Sequence, residues 1–166
     1  HNPYSFSKAA GELAAWTYQR AYKLPLVVVS NGIVAGVGMR RDVFIYKWLW
    51  NIKHGKPLIL EGGDQTRDIT HISDIMDGFT ALVDSDEKTL YHKINLSYGQ
   101  EVSVKEALEM CIEVSGKKVE VIENPYRPGE QGQRECFSNQ KAKELLHYKP
   151  KITPKEAIRL TWESIK

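Results

Sequence analysis

The chain has 166 residues, of which 42% are hydrophobic and 27% charged, and a net charge of +2. That balance gives one soluble globular domain with enough apolar residues for a core, and a scatter of Lys and Arg too thin for a nucleic-acid or acidic-membrane surface. No apolar run approaches the ~20 residues of a bilayer span. The two cysteines, Cys111 and Cys136, fit neither a disulfide framework nor metal-ligand spacing, so a reducing cytoplasm and no metal are expected. The start at His1 without Met suggests that an upstream part is missing.

Asn2 as a cap and Pro3 at the first helical position predict a long helix to Tyr22, with Ala10, Leu13, Ala14, Thr17 and Ala21 on a stripe of small and apolar residues. Tyr4 and Lys8 fall four residues apart on one face. A free tyrosine hydroxyl titrates near pKa ~10, so a tyrosine acid/base needs a neighbouring cation or a helix N-terminus to favour the phenolate. The competing reading is a plain surface pair.

Leu26-Val-Val-Val-Ser30 is β-branched and apolar without alternation, as in a strand of a parallel sheet covered on both faces. Lys93-Ile-Asn-Leu96 is the one other strand expected in that sheet. Asn31 to Gly38 reads as a loop, in which Asn31 suits a turn. Residues 42–54 have helical periodicity, and their aromatics, Phe44, Tyr46, Trp48 and Trp50, suit core or subunit packing better than base stacking.

Lys56 to Glu61 reads as a short strand and Gly62 to Asp68 as a turn leading into Ile69-Thr70-His71-Ile72. Ser73 suits the cap of a helix to Val83, with Asp74 and Asp77 in its first turn. Ser103-Val-Lys-Glu106 is a capping box for a helix ending at Gly116, and residues 118–122 alternate as a half-buried strand. Asn124 to Arg134 is polar and irregular. Ser138 is expected to cap residues 139–146, and Thr153-Pro-Lys-Glu156 opens a last helix.

The segment Asn2-Pro-Tyr4-Ser-Phe-Ser-Lys8-Ala-Ala-Gly-Glu12 resembles the active-site helix of extended short-chain dehydrogenases/reductases, the NAD-dependent nucleotide-sugar epimerases and dehydratases typified by UDP-glucose 4-epimerase. Gly62-Gly-Asp-Gln-Thr-Arg67-Asp68 and Arg127-Pro-Gly-Glu130 resemble two further motifs of that family, and the likeness covers essentially the whole chain. Asn31-Gly-Ile-Val-Ala-Gly36-Val-Gly38 departs from the family's Asn-x-Tyr-Gly-Pro-Gly at three positions.

The resemblance implies the C-terminal half of such an enzyme. The fold would be α/β, an incomplete Rossmann-type parallel sheet holding its last strands only (residues 1–35 and 68–99), plus a small α/β substrate-binding domain (36–67 and 100–166). Tyr4 would be the acid/base, with Lys8 lowering its pKa, and both would touch NAD. Asn31, Ile59 and Glu61 would contact the substrate, and Arg67 and Arg127 would grip its diphosphate. An arginine suits that task because its planar fork donates paired hydrogen bonds and stays charged. The alternative for Arg67 is a local ion pair with Asp68.

The implied partner is a nucleotide-sugar, UDP- or dTDP-linked, in a homodimer, with no nucleic acid and no membrane. The sequence holds no Gly-x-x-Gly-x-x-Gly cofactor loop, so the chain alone is expected to be inactive. The runner-up is a non-catalytic fragment that folds as a self-associating or nucleotide-sugar-binding module.

Overall fold

The structure is a computed structural model, and it describes residues 3–165. Asn2, read as the cap of the first helix, lies outside the described residues. Helix α1 spans Pro3–Tyr22. Strands β1 (Val28–Ser30) and β5 (Lys93–Asn95) pair in parallel, with Val29 opposite Ile94. The apolar, non-alternating run before Ser30 does belong to a parallel sheet, and its partner is the strand expected.

Three further strands form a second sheet. Strand β2 (Ile33–Ala35) runs parallel to β4 (Thr66–His71), which pairs on its other edge antiparallel to β6 (Glu101–Ser103). Strand β3 (Leu58–Glu61) pairs in parallel with β7 (Val121–Asn124). The helices are α2 (Phe44–Lys53), α3 (Ile72–Val83), α4 (Val104–Ser115), α5 (Gln140–Leu146) and α6 (Pro154–Ser164).

Two hydrophobic clusters carry the fold. The larger joins Ile45, Leu49 and Ile52 of α2, Leu58 and Leu60 of β3, Leu108 and Cys111 of α4, and Ile158 of α6. The smaller joins Ile75 of α3, Ile94 of β5, Leu96, and Ala142 and Leu146 of α5. Packing thus places α5 against the β1–β5 pair, although its sequence position falls in the expected substrate-binding part.

Several local expectations are corrected. Residues 31–38 are not all loop, because β-branched Ile33 and Val34 find a partner edge on β4. Arg67 and Asp68 lie inside β4 rather than in the turn before it. Helix α3 is capped by His71, whose Nδ1 accepts from the Ser73 N–H, in place of Ser73 itself. Helix α5 starts after Asn139, whose side chain donates to the Ser97 and Tyr98 carbonyls and so makes no cap bond. The capping box Ser103–Glu106 and the αL cap Gly116 are present as read.

The small-residue stripe of α1 is also reversed. Ala10, Leu13, Ala14, Thr17 and Ala21 are exposed, and Glu12, Ala15, Trp16 and Gln19 are the half-buried positions. One tie on the inner side is polar, the Lys93 ammonium donating to Glu12 at 2.6 Å.

Asp68 joins three parts of the chain. Its fully buried carboxylate accepts from the backbone N–H of Phe137 at 3.2 Å and of Gly99 at 3.2 Å, and more weakly from the Thr70 hydroxyl at 3.4 Å. Burial pushes its pKa up, and the N–H donors of Phe137 and Gly99 oppose that rise. Behind it β2 comes close: a Cβ on Gly32 would stand 2.3 Å from the Asp68 carbonyl oxygen. Asp74, also buried, accepts from the N–H groups of Lys151 and Ile152, each at 3.0 Å, and so docks the link before α6 on α3. Replacing Asp68 by Ala leaves buried donors without an acceptor, so a destabilisation of about 3 kcal/mol is expected. Urea unfolding should show this as a lower midpoint at an unchanged slope.

Candidate functional site

Strand alternation decides where the arginine of β4 points. Successive side chains of a strand emerge on opposite faces, so Asp68 goes into the protein and Arg67 comes out on the other side. No Arg67–Asp68 ion pair occurs among the described residues, which removes the local-pair reading.

Arg67 emerges at the junction of two clefts. The larger, of about 1060 Å³, runs along β1 beneath α1 and is lined by Tyr4, Lys8, Asn31, Lys93, Glu135 and Phe137 as well as Arg67. The smaller, of about 230 Å³, is lined by Phe44, Trp48, Ile59, Glu61, Arg127 and Glu130 together with Arg67. Every site residue expected from the sequence therefore lines one of these two clefts.

In the larger cleft Tyr4 is exposed, and the Lys8 Nζ lies over its ring, 5.4 Å from the centroid. The one-turn spacing of the two residues on α1 produces that approach. The Ser7 hydroxyl donates to the Tyr4 carbonyl at 2.7 Å, inside the same turn. Asn31, just beyond β1, donates to the Gly32 carbonyl at 3.3 Å. Tyr4 and Asn31 also border a third hollow, of about 360 Å³, formed with the Ile33–Arg40 segment.

In the smaller cleft the alternation of β3 buries Leu58 and Leu60 and turns Ile59 and Glu61 outward. The backbone alternates as well. Leu58 N–H donates to Glu120 and Gly62 N–H to Asn124, so the even positions face β7 and the odd positions face away. There the Ile59 carbonyl accepts from the Trp48 indole N–H at 2.9 Å and the Glu61 carbonyl from the Gln65 side chain at 2.7 Å.

The segment from Tyr126 to Glu135 forms the outer wall and is tied down along its length. Tyr126 donates to Asp64, and Arg127 pairs with Glu61, which holds the guanidinium pKa above its ordinary value. Thr66 N–H donates to the Gln133 carbonyl at 3.0 Å. Arg67 donates to the Thr66 carbonyl at 2.8 Å and to Gln133 Oε1 at 3.3 Å, and lies 3.4 Å from Glu130 and 4.0 Å from Glu135. Its side chain is only 14% exposed, whereas that of Arg127 is 55% exposed, so the two arginines differ in how much they must give up to meet a ligand.

Sequence reasoning did not assign Glu130, Gln133, Glu135 or the Trp48 indole to the site. The loop residues carry no periodicity from which a facing side can be read, and a tryptophan on an apolar helix face reads as core. The second arginine of the loop, Arg134, turns away to pair with Glu101 and lines a separate cleft of about 610 Å³ with Asp64 and Tyr126. Among the described residues no group of three or more His, Cys, Asp or Glu is arranged to hold a metal ion, and no helix is long and apolar enough to cross a membrane.

Small parallel sheets, a Tyr-x-x-x-Lys helix along one of them and an arginine-bearing cleft beside it are features of the extended short-chain dehydrogenase/reductase class. A family model described as GDP-mannose 4,6 dehydratase matches residues 1–161, and the chain belongs to that family. It is 31% identical over 164 residues to a UDP-glucuronate 4-epimerase of Thermodesulfobacterium geofontis, covering 96% of this chain and 49% of the relative. It is 28% identical over 158 residues to an uncharacterized UDP-glucose epimerase of Bacillus subtilis, covering 95% and 49%.

Among solved structures it matches the UDP-glucuronic acid 4-epimerase of Bacillus cereus in complex with UDP-glucuronic acid and NAD. The TM-score is 0.91 at 25% identity, over 98% of this chain and 52% of that one. The UDP-glucose 4-epimerase of Thermus thermophilus in complex with NAD matches with a TM-score of 0.87 at 26% identity, over 98% and 53%. The chain spans about half the length of the curated relatives it matches, and corresponds to the C-terminal half of extended short-chain dehydrogenase epimerases.

Because Arg127 is held by Glu61 at a largely exposed site, the substitution Glu61→Gln should loosen the wall while leaving the core intact. The amides of Glu130 and Gln133 are expected to exchange with solvent several-fold faster, with global stability changed by less than about 1 kcal/mol. Hydrogen exchange and urea unfolding measure the two effects separately.

Proposed function

We propose that this chain is the C-terminal portion of an NAD-dependent nucleotide-sugar epimerase or dehydratase. The observation that carries the reading is the position of Arg67, lining both the cleft of Tyr4 and Lys8 and the cleft of Arg127, Ile59 and Glu61. A nucleotide-sugar has that layout, with a diphosphate between a base and a sugar. The base would lie along the outward edge of β3 against Phe44, the diphosphate between Arg67 and Arg127, and the sugar toward Tyr4 and Asn31. The complexes of the Bacillus cereus relative with UDP-glucuronic acid support a UDP-sugar as the first ligand to test; a dTDP-linked sugar is the other.

Each residue then has a chemical task. Arg127 exchanges its Glu61 partner for a phosphate oxygen, a trade between two charge-assisted hydrogen bonds. The Tyr4 hydroxyl takes and returns the proton of the sugar hydroxyl, with the Lys8 ammonium one turn away in the same cleft. When bound, NAD supplies transient hydride transfer to and from the sugar carbon. The residues present fit its ribose end, since the Tyr4 hydroxyl and the Lys8 ammonium offer hydrogen-bonding groups to one cleft. A glycine-rich loop for its pyrophosphate does not occur in these 166 residues.

The domain division follows the same reading. Residues 1–35 and 68–99 would belong to the dinucleotide-binding part and the rest to the substrate-binding part, with α5 packed across the boundary. The free cysteines suit a reducing cytoplasm.

A second reading, a self-associating module without catalysis, is favoured by one feature. No residue of α1 is buried, although it carries Tyr4, Phe6, Leu13, Tyr18 and Tyr22. A homodimer through α1 would cover that face, and sedimentation of the chain distinguishes monomer from dimer.

Calorimetric titration with UDP-glucose tests the main reading. Arg67→Lys should weaken binding about tenfold or more, because a point charge replaces a planar fork, whereas Tyr4→Phe should leave affinity within about twofold. The chain alone with NAD and UDP-glucose should show no turnover. Equal binding by the Arg67 variant, or substantial epimerisation by the isolated chain, would contradict this assignment.

A further inference from the structure

The ion-pair partners of Arg67 come from one segment, and they do not share one location. Glu130 lines the smaller cleft, while Glu135 lines the larger one with Tyr4 and Lys8, its Oε2 4.0 Å from the Arg67 Nε. Glu135 is therefore the carboxylate on the sugar side of the junction, half-buried between the guanidinium and the open cleft.

Its surroundings do little to neutralise it. From β4, Arg67 favours its ionised form and Asp68 opposes it, while burial, the largest influence, raises its pKa above the ordinary glutamate value. On its own segment Arg134 is committed to Glu101 of β6, Glu130 adds a negative charge, and Cys136 is its immediate neighbour. Across the cleft, Lys93 of β5 is committed to Glu12 of α1, and Tyr4 and Lys8 line the same α1 wall. Arg67 is thus the cation on which the Glu135 carboxylate depends.

We propose that Glu135 is the proton-linked counter-ion of the diphosphate site, pairing with Arg67 in the free protein and taking up a proton when a nucleoside diphosphate engages that guanidinium. This rests on the reading of Arg67 as a phosphate ligand. An arriving diphosphate withdraws the attraction of Arg67 and adds a like charge beside the carboxylate. Both changes raise the proton affinity of Glu135, so the complex holds more protons than the free protein, and affinity rises as pH falls. For one proton the limit is about tenfold per pH unit.

UDP-glucose is a suitable probe, because its diphosphate diester stays ionised throughout the working range. Calorimetry from about pH 5 to about pH 8, in buffers of different ionisation heat, reads affinity and proton uptake together. The wild type is expected to take up a fraction of one proton and to bind about three- to tenfold more tightly at the lower pH. Glu135→Gln should bind at about pH 8 at least as tightly as the wild type does at about pH 5, with no proton uptake and no pH dependence. Glu135→Asp, which restores the carboxyl, should restore the linkage.

Wild-type binding without proton uptake overturns the inference and leaves the diphosphate reading standing, as does linkage that persists in Glu135→Gln. If neither UDP-glucose nor GDP-mannose binds at any pH, the diphosphate reading fails and the inference falls with it.

Discussion

A buried carboxylate accepting backbone hydrogen bonds organises this protein. Asp68 draws the N–H groups of Gly99 and Phe137 onto β4, and so fixes where the chain leaves β5 and where the outer wall of the clefts returns to the body of the fold. Ion–dipole bonds of this kind act in a place where water cannot substitute for them, which makes the geometry stiff and its loss costly. The same strand then presents Arg67 one residue earlier on the opposite face. The anchoring carboxylate and the guanidinium that lines both clefts are adjacent in sequence because a strand alternates, and neither position can slip without moving the other.

Both cleft arginines have carboxylate partners within the chain. Arg127 pairs with Glu61, and Arg67 is surrounded by Glu130, Gln133 and Glu135. A bare guanidinium in a site only 14% exposed would be poorly solvated, so these carboxylates and the amide compensate its charge and hold it in place. On the proposed reading, recognition of a diphosphate is an exchange of partners and not the filling of an empty positive hole. Such exchange favours discrimination, because a ligand that brings one charge to the wrong position must still displace a carboxylate and gains too little in return.

The two hydrophobic clusters give these clefts their walls. The α2, α4 and α6 cluster supports β3 and the Trp48 indole that fixes the Ile59 carbonyl, and the cluster of α3, α5 and β5 supports the floor along β1. Helix α1 has no comparable support on its outer face. It carries Tyr4 and Lys8 on an exposed surface, and its tie from Glu12 to Lys93 sets its place along β1.

Much of the architecture was legible in the order of residues alone. The apolar run at 26–30, the Ser103–Glu106 box, Gly116 and the helical periodicities of α2 and α6 declare themselves because local sterics and hydrogen bonding suffice to specify them. The family motifs likewise pointed to Tyr4, Lys8, Asn31, Ile59, Glu61, Arg67 and Arg127, and those residues converge on two adjoining clefts. Tertiary structure decided the rest. It turned 33–35 into a strand by offering an edge, reversed the packed face of α1, took the Asn139 side chain away from its helix, and chose which acids of an aperiodic loop meet Arg67. Each of those outcomes depends on a partner far away in the chain, and contacts across such distances leave no local period for a sequence to display.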